Sequence, residues 1–371
     1  MATIILNGVA TDTNPLSATA INDKLTVSGG LNGYEADMLA GKDLVEIDQA
    51  GENISATTII GGSDDDLITV DSGSFASVTS SITLSGGTGD DTILVGEGDS
   101  DKKILPGLVS FEGKANGNDG NDYISVVRGN KSTIQGATGN DTIEIGWFQD
   151  LDGPGSRGDT TFDNSSVNGG AGKDYIEFYS SLKATRSTVN GGGGQDTLFV
   201  EGVLTGDPIV VSTGSFFNSS SIANVGEDRD VIHIGNDNNG KGVSLVNTII
   251  NGNAGPDYIK AYGKLDSTEG SIIAGGAGPD TIAVADAGAL TVRGGGGKDM
   301  LRVGSGQTVS GGPGADTFSI EFAGGVTITD FDAANKTNGF TDNCFCSDVL
   351  QVDGNKIQLE TYAYKGTKDL Y

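Results

Sequence analysis

Apolar residues along most of this chain come in pairs separated by a single residue. The pairs run from Ile68 and Val70 through Ile143 and Ile145 to Phe318 and Ile320. A period of two with many β-branched residues predicts strands that bury one face. The intervening residues are then expected to face solvent. They include Glu144, Glu177, His233, Lys260 and Arg302.

A glycine-rich acidic turn precedes each pair. The first copy is GGSDDD at 61–66 and the last is GGPGAD at 311–316. The final aspartates of the eleven copies are 25, 31, 19, 33, 22, 34, 27, 23, 19 and 17 residues apart. A second apolar column, from Ile59 to Val309, lies two residues before the turns. One strand–turn–strand unit cannot bury its own apolar face, so the repetition predicts an all-β, right-handed parallel β-solenoid of stacked coils.

The repeats divide the chain into three predicted parts. Residues 1–40 are an N-terminal cap, 41–322 are the solenoid, and 323–371 are a C-terminal cap. Residues 41–47 and 348–352 are interpreted as degraded first and last coils. Because the spacing varies, insertions are expected at the edge opposite the turns. The longest, 146–165 and 201–220, are predicted to be surface loops.

The composition of the turns indicates a cation. Glycines permit positive φ and close backbone approach, which exposes carbonyl oxygens. Each turn adds one carboxylate, so stacked turns would place oxygens on both sides of a gap that suits Ca²⁺. The formal net charge of −28 is consistent with cations that neutralise part of it.

The turns resemble the glycine-rich nonapeptide GGxGxDxUx of RTX proteins, which fold as a parallel β-roll. The resemblance implies calcium held between successive turns, and folding after secretion into a calcium-rich medium. It extends over about residues 41–352, and VTITDFDAA (326–334) is similar to the family's closing segment. Only one motif occurs per coil, so ions are expected along one edge. The ligands implied are Asp66, Asp91, Asp122, Asp141, Asp174, Asp196, Asp230, Asp257, Asp280, Asp299 and Asp316.

Other classes of protein receive little support from the sequence. The 22 basic residues against 50 acidic ones argue against a nucleic-acid partner. No apolar run approaches the ~20 residues of a membrane span. The single histidine, His233, argues against a zinc protease, and Cys344 and Cys346 are too few for a disulfide scaffold. We therefore predict no catalytic residues and no enzymatic activity.

The interpretation that follows is a calcium-stabilised extracellular structural protein. A self-assembling surface-layer or surface-filament subunit fits best, exported by a type I route that reads a C-terminal signal such as TKDLY. Its partners would be further copies or other surface proteins. The alternative is a virion decoration or fibre protein of a bacteriophage. A secreted enzyme with an RTX portion and an ice-binding protein, which would use Thr and Asx ranks beside the turn, are supported less well.

A column of Thr and Tyr residues follows the turn aspartates. It is either a solvated strand face with good β-propensity or a flat contact surface for lateral assembly. Its members are Thr92, Tyr123, Thr142, Tyr175, Thr197, Tyr258, Thr281 and Thr317.

Overall fold

The computed structural model describes most of the repeat region. The described residues are 3–7, 16–17, 21–28, 31–48, 54–70, 79–96, 111–146, 160–179, 182–201, 203–212, 229–235, 243–267, 270–320, 325–331 and 349–352. Within these ranges the regular structure is β-strand, and no helix is long and apolar enough to cross a membrane. Cys344 and Cys346 and the TKDLY segment lie outside the described residues.

The strands that follow the turns form one parallel ladder, which we call the exit ladder. Corresponding residues of successive coils are paired, so that Ile143 lies opposite Ile124 on one side and Ile176 on the other. The predicted alternation is therefore in register from coil to coil. The strands are Thr3–Asn7, Lys24–Ser28, Leu44–Asp48, Leu67–Val70, Thr92–Val95, Tyr123–Val126, Thr142–Ile145, Tyr175–Phe178, Thr197–Val200, Val231–Ile234, Tyr258–Ser267, Thr281–Ala287, Met300–Val303, Thr317–Ile320 and Val349–Val352.

The strands that lead into the turns form a second parallel ladder, the approach ladder. Ile134, for example, pairs with Ala115 and Val167. The strands are Leu16–Ser17, Glu35–Asp37, Thr58–Ser63, Thr79–Thr88, Phe111–Asp119, Thr133–Thr138, Ser166–Ala171, Thr188–Gly193, Val203–Ser212, Val243–Ala254, Ile272–Ala277, Thr291–Gly296, Thr308–Ser310 and Thr327–Ile328. Together the two ladders confirm the predicted parallel β-solenoid.

Shorter strands add a third side that the sequence pattern did not predict. They are Leu31–Asn32, Ile54–Ser55, Gly129–Asn130, Thr160–Asp163 and Leu182–Thr185. Thr160–Asp163 falls in the predicted 146–165 loop, and Val203–Ser212 falls in the predicted 201–220 loop. Both predictions were wrong for those residues, because the two segments pair with neighbouring strands. The backbone hydrogen bonds of these segments are thus made within the ladders and not to solvent.

The core is a narrow column between the ladders. The second apolar column and the paired exit residues are buried, as Ile143, Ile145 and Ile134 show with 0% exposure, except that Ile320 of the last pair is only partly buried. The third side adds its own apolar residues, and Phe162 packs edge-on against Phe178 with ring centroids 5.9 Å apart. The apolar residues therefore lie inside the stack, as the period of two predicts.

A second corner of the coil is lined by buried hydroxyl groups. Ser132, Ser165 and Ser187 lie two residues before the approach-column residues and are at most 5% exposed. The Ser132 amide donates to Ser165 Oγ at 2.9 Å, and Ser187 Oγ donates to the Phe162 carbonyl at 3.2 Å. These bonds satisfy backbone groups where the chain bends between the third side and the approach ladder.

The ladders extend beyond the predicted solenoid boundaries. Lys24–Ser28 pairs with Leu44–Asp48, so the coils continue across residue 41 into the predicted cap. At the other end Val349–Val352 pairs with Thr317–Ile320, as expected for a last coil at 348–352.

Candidate calcium site

The turn at 294–299 shows why its glycines are needed. Gly295 has φ 111° and Gly297 has φ 146°, a region that residues with a Cβ rarely adopt. A Cβ on Gly295 would also lie 1.8 Å from the Gly276 carbonyl oxygen of the preceding coil. Positive φ and close stacking thus both require glycine, and the turn backbones of adjacent coils come into contact.

The eleven predicted aspartates form one continuous buried row along the turn edge. Each is at most 4% exposed. In each, Oδ1 accepts a hydrogen bond from the backbone amide of the corresponding aspartate one coil earlier, at 2.8–3.0 Å. One carboxylate oxygen is therefore used to fix the register of successive coils.

The other carboxylate oxygen lies buried under the glycine turn. The Oδ2 atom makes no hydrogen bond in Asp43, Asp66, Asp91, Asp122, Asp141, Asp174, Asp280 and Asp299. A buried carboxylate oxygen without a hydrogen bond is costly unless a cation or a proton compensates it. The repetition of this arrangement in coil after coil indicates a common ligand.

A backbone carbonyl oxygen of the next coil lies beside the same space, and for Gly311 this oxygen also accepts from the Gly295 amide at 2.9 Å. A Cβ built on Gly294 would lie 2.4 Å from Asp299 Oδ2 and 2.6 Å from the Gly311 carbonyl oxygen. The equivalent distances at Gly136 are 2.2 Å to Asp141 Oδ2 and 2.5 Å to the Gly169 carbonyl oxygen. A carboxylate oxygen and a carbonyl oxygen therefore converge beside the first glycine of the turn, and hard oxygen donors are the ligands that Ca²⁺ prefers.

Burial makes these carboxylates hard to ionise without a counter-charge. It raises the pKa of Asp91 and Asp174 to about 7, and that of Asp141 and Asp299 to about 6. The hydrogen bond from the preceding aspartate's amide acts in the opposite direction but is the smaller effect. A bound calcium ion would supply the positive charge that keeps the row ionised at neutral pH.

The carboxylates do not gather around a shared centre. No group of three Asp, Glu, His or Cys side chains with metal-binding geometry occurs among the described residues. This agrees with gaps that combine carboxylate oxygens with turn carbonyls. For the Asp230 turn, residues 225–228 lie outside the described residues.

The row contains two aspartates that the repeat motif missed. The Asp23 amide donates to Asp43 Oδ1 at 2.6 Å, and the Asp43 amide donates to Asp66 Oδ1 at 2.8 Å. Neither lies in a full glycine turn. Each directly precedes a strand of alternating apolar residues, and this position is the sequence feature that could have identified both aspartates. At the other end Asp330 accepts from the amides of Gly311 and Gly312 at 2.9 and 2.8 Å, and so caps the last glycine turn.

Comparisons with known proteins agree with the motif and the fold. Residues 83–100 match a family model described as the RTX calcium-binding nonapeptide repeat, a model that represents four copies of the repeat. No curated protein matches the chain. A similar solved structure is a hyperactive, Ca²⁺-dependent, β-helical antifreeze protein from an Antarctic bacterium. It is 19% identical, with a TM-score of 0.56 over 97% of this chain and 96% of that chain. Residues 83–100 are thus similar to an RTX calcium-binding repeat, and the similar structure agrees with the parallel β-solenoid fold.

Proposed function

We propose that the protein is an extracellular structural protein whose solenoid is stabilised by calcium ions held between successive turns. The observation that carries the proposal is the row of buried Oδ2 atoms, which in several turns lie close to a carbonyl oxygen of the next turn. The Asp row would ligate the ions, and the amide-to-Oδ1 bonds would keep the carboxylates in position. Calcium binding would then hold adjacent coils together at the turn edge.

The calcium part of this proposal is tested by titrating the full chain with CaCl₂ after chelation. We expect the melting temperature to rise with calcium and to rise much less with magnesium, which demands stricter octahedral geometry. Isothermal titration calorimetry should give several ions per chain. A chain that melts at the same temperature in calcium and in chelator would contradict the proposal.

We further propose that the protein assembles with copies of itself as a surface-layer or surface-filament subunit, secreted by a type I route. The support is that the described residues are almost entirely ladder, turn and corner, which is the content expected of a scaffold. Electron microscopy during the same calcium titration tests this step. Sheets or filaments that form only with calcium are the expected result, and isolated particles at every calcium level would favour the virion decoration or fibre protein.

Ice binding is a second candidate because the solved neighbour is an antifreeze protein. A short rank of Asp and Asn residues does exist on the outside of the turns, where the Asn121 amide donates to Asp90 Oδ1 at 2.8 Å and the Asn140 amide donates to Asn121 Oδ1 at 2.9 Å. The rank ends after Asn140, since Lys173 occupies the equivalent place in the next coil. A thermal-hysteresis assay in calcium would decide, and we expect no activity.

A further inference from the structure

The solvent side of the exit ladder, which we call the exit face, has an aromatic centre. Phe199 and His233 are paired residues of adjacent strands, and their ring centroids are 5.5 Å apart at 70°. His233 also packs against Tyr258 at 6.2 Å and 75°. All three are only half-buried, so their rings form a firm, partly apolar patch in the middle of this face.

Acidic residues lie on one side of this patch in the same row. Glu144 pairs with Glu177, and Glu177 pairs with Phe199. The carboxylates are held by tyrosine hydroxyls: Tyr123 donates to Glu144 at 2.6 Å, and Tyr175 donates to Glu177 at 2.8 Å. The acidic side chains are therefore fixed in position before any contact is made.

Basic residues lie on the other side of the patch, again in the same row. His233 pairs with Lys260, Lys260 with Ala283, and Ala283 with Arg302. Lys260 is half-buried and Arg302 is exposed. Along the stack the row therefore reads acidic, acidic, aromatic, aromatic, basic, small, basic.

This order is complementary to itself when it is reversed. A two-fold axis between Phe199 and His233 places Phe199 of one copy on His233 of the other, and Glu177 on Lys260. It also places Glu144 opposite Ala283, one coil from Arg302. We propose that two copies of the chain pack exit face to exit face, antiparallel, with this axis at the centre. In such an isologous contact both copies contribute the same residues, and Glu177 of each copy faces Lys260 of the other.

The face is large enough for a stable dimer. Around this axis about twelve strands of each copy overlap, which at ~4.8 Å per strand is ~58 Å of length. Four residues at ~3.3 Å give a width of ~13 Å, so at most about 750 Å² per copy can be covered, less the area at Ser125, which is already buried within its own chain. The upper limit of the sum, about 1,500 Å², falls within the range of specific protein–protein interfaces.

The inference rests on the proposed assembly function and names its first contact. The test uses sedimentation velocity of the full chain in calcium. Glu177→Lys and Lys260→Glu should each weaken the dimer by at least about tenfold, because each variant places like charges in contact twice. An equimolar mixture of the two variants should dimerise again, since in the mixed pair both contacts join opposite charges.

Arg293→Glu is the matched control, because Arg293 is exposed on the approach ladder, away from the exit face. Like Lys260→Glu, this variant replaces a basic side chain with a carboxylate, but it should leave the dimer intact. Melting in calcium checks that each variant folds. A calcium-stabilised chain that stays monomeric, or a dimer that both single variants leave unchanged, would overturn the exit-face contact. If both single variants still form sheets, the proposed self-assembly would be supported and the proposed exit-face contact would be refuted.

Discussion

The first glycine of a turn should be replaceable only at the expense of calcium binding, and the turn at 294–299 offers a sharp comparison. In Gly294→Ala the new methyl group would lie 2.4 Å from Asp299 Oδ2 and 2.6 Å from the Gly311 carbonyl oxygen. In Gly296→Ala, two residues later, no heavy atom lies within 4 Å of the new methyl group. The two variants add the same methyl group to the same turn, and only the first occupies the space where the oxygens converge.

The expected size of the effect has two parts. Forcing a methyl group into a closely packed position costs about 1–3 kcal/mol, and this part is present with or without calcium. Loss of one ion removes a further RT ln(1 + [Ca²⁺]/Kd), about 2.7 kcal/mol when calcium is at 100 times Kd. We therefore expect Gly294→Ala to lose about 1–3 kcal/mol in chelator and about 4–6 kcal/mol in saturating calcium.

Chemical denaturation in calcium and in chelator measures both parts, and calorimetry should show about one ion fewer for Gly294→Ala. Gly296→Ala should match the natural chain in both solutions to within about 0.5–1 kcal/mol, the ordinary difference between Ala and Gly. The reasoning would be refuted if Gly294→Ala kept its full calcium stoichiometry. It would also be refuted if Gly296→Ala lost as much calcium-dependent stability.

Three further results follow from the structure. In chelator the melting temperature should fall as pH rises from 5 to 8, because burial raises the pKa of Asp91 and Asp174 to about 7 in the folded chain. Above pH ~4 the folded state holds protons that the unfolded state has lost, so the free energy of unfolding falls as pH rises from about 4 through 7. In calcium the stabilisation should instead grow with pH, because the ion binds the ionised carboxylates. Ala137→Gly should stabilise the chain by roughly 0.5–1 kcal/mol in denaturation experiments, because Ala137 has φ 88°. Ala171→Gly is the control, since Ala171 is exposed and has no positive φ, and it should not stabilise the chain. Phe162→Ala should cost about 3–5 kcal/mol by the same measurement, since its ring is fully buried against Phe178, and an unchanged stability would contradict its place in the core.

The two long ladders could be predicted from sequence because two signals coincide in every coil. The acidic glycine turn fixes where a coil bends, and the apolar column before it and the pair after it have constant spacing from that bend. Ile134 and Ile143 are therefore placed correctly by counting from Asp141. The identity of the buried carboxylate row could be predicted on the same grounds.

The third side could not be predicted because most of its residues carry little apolar signal, although they lie at a constant distance before the turn aspartate. Phe162 lies 12 residues before Asp174, and Ala184 lies 12 residues before Asp196. Of these two only Phe162 is a large apolar residue, so no apolar column marks this side. Segments of different length separate these residues from the preceding exit strands, so no fixed period connects one to the next. Asp23 and Asp43 were missed because the motif required glycine at its first two positions, where the coil of Asp43 has Met38 and Leu39 and keeps only Gly41.

The buried row also connects folding with assembly. Eleven turns leave ten gaps between them, and one ion in each gap would add about 20 positive charges to a formal charge of −28. Above about pH 7, where the buried row is ionised, two copies that approach without calcium repel each other through most of that charge, which weakens association at low ionic strength. The same ions that hold the coils together would therefore remove most of the repulsion between exit faces, while leaving the local pairs of Glu177 and Lys260 unscreened. Dimerisation should accordingly follow calcium occupancy, and adding salt in chelator should not reproduce it, because salt screens the attractive pairs along with the net charge.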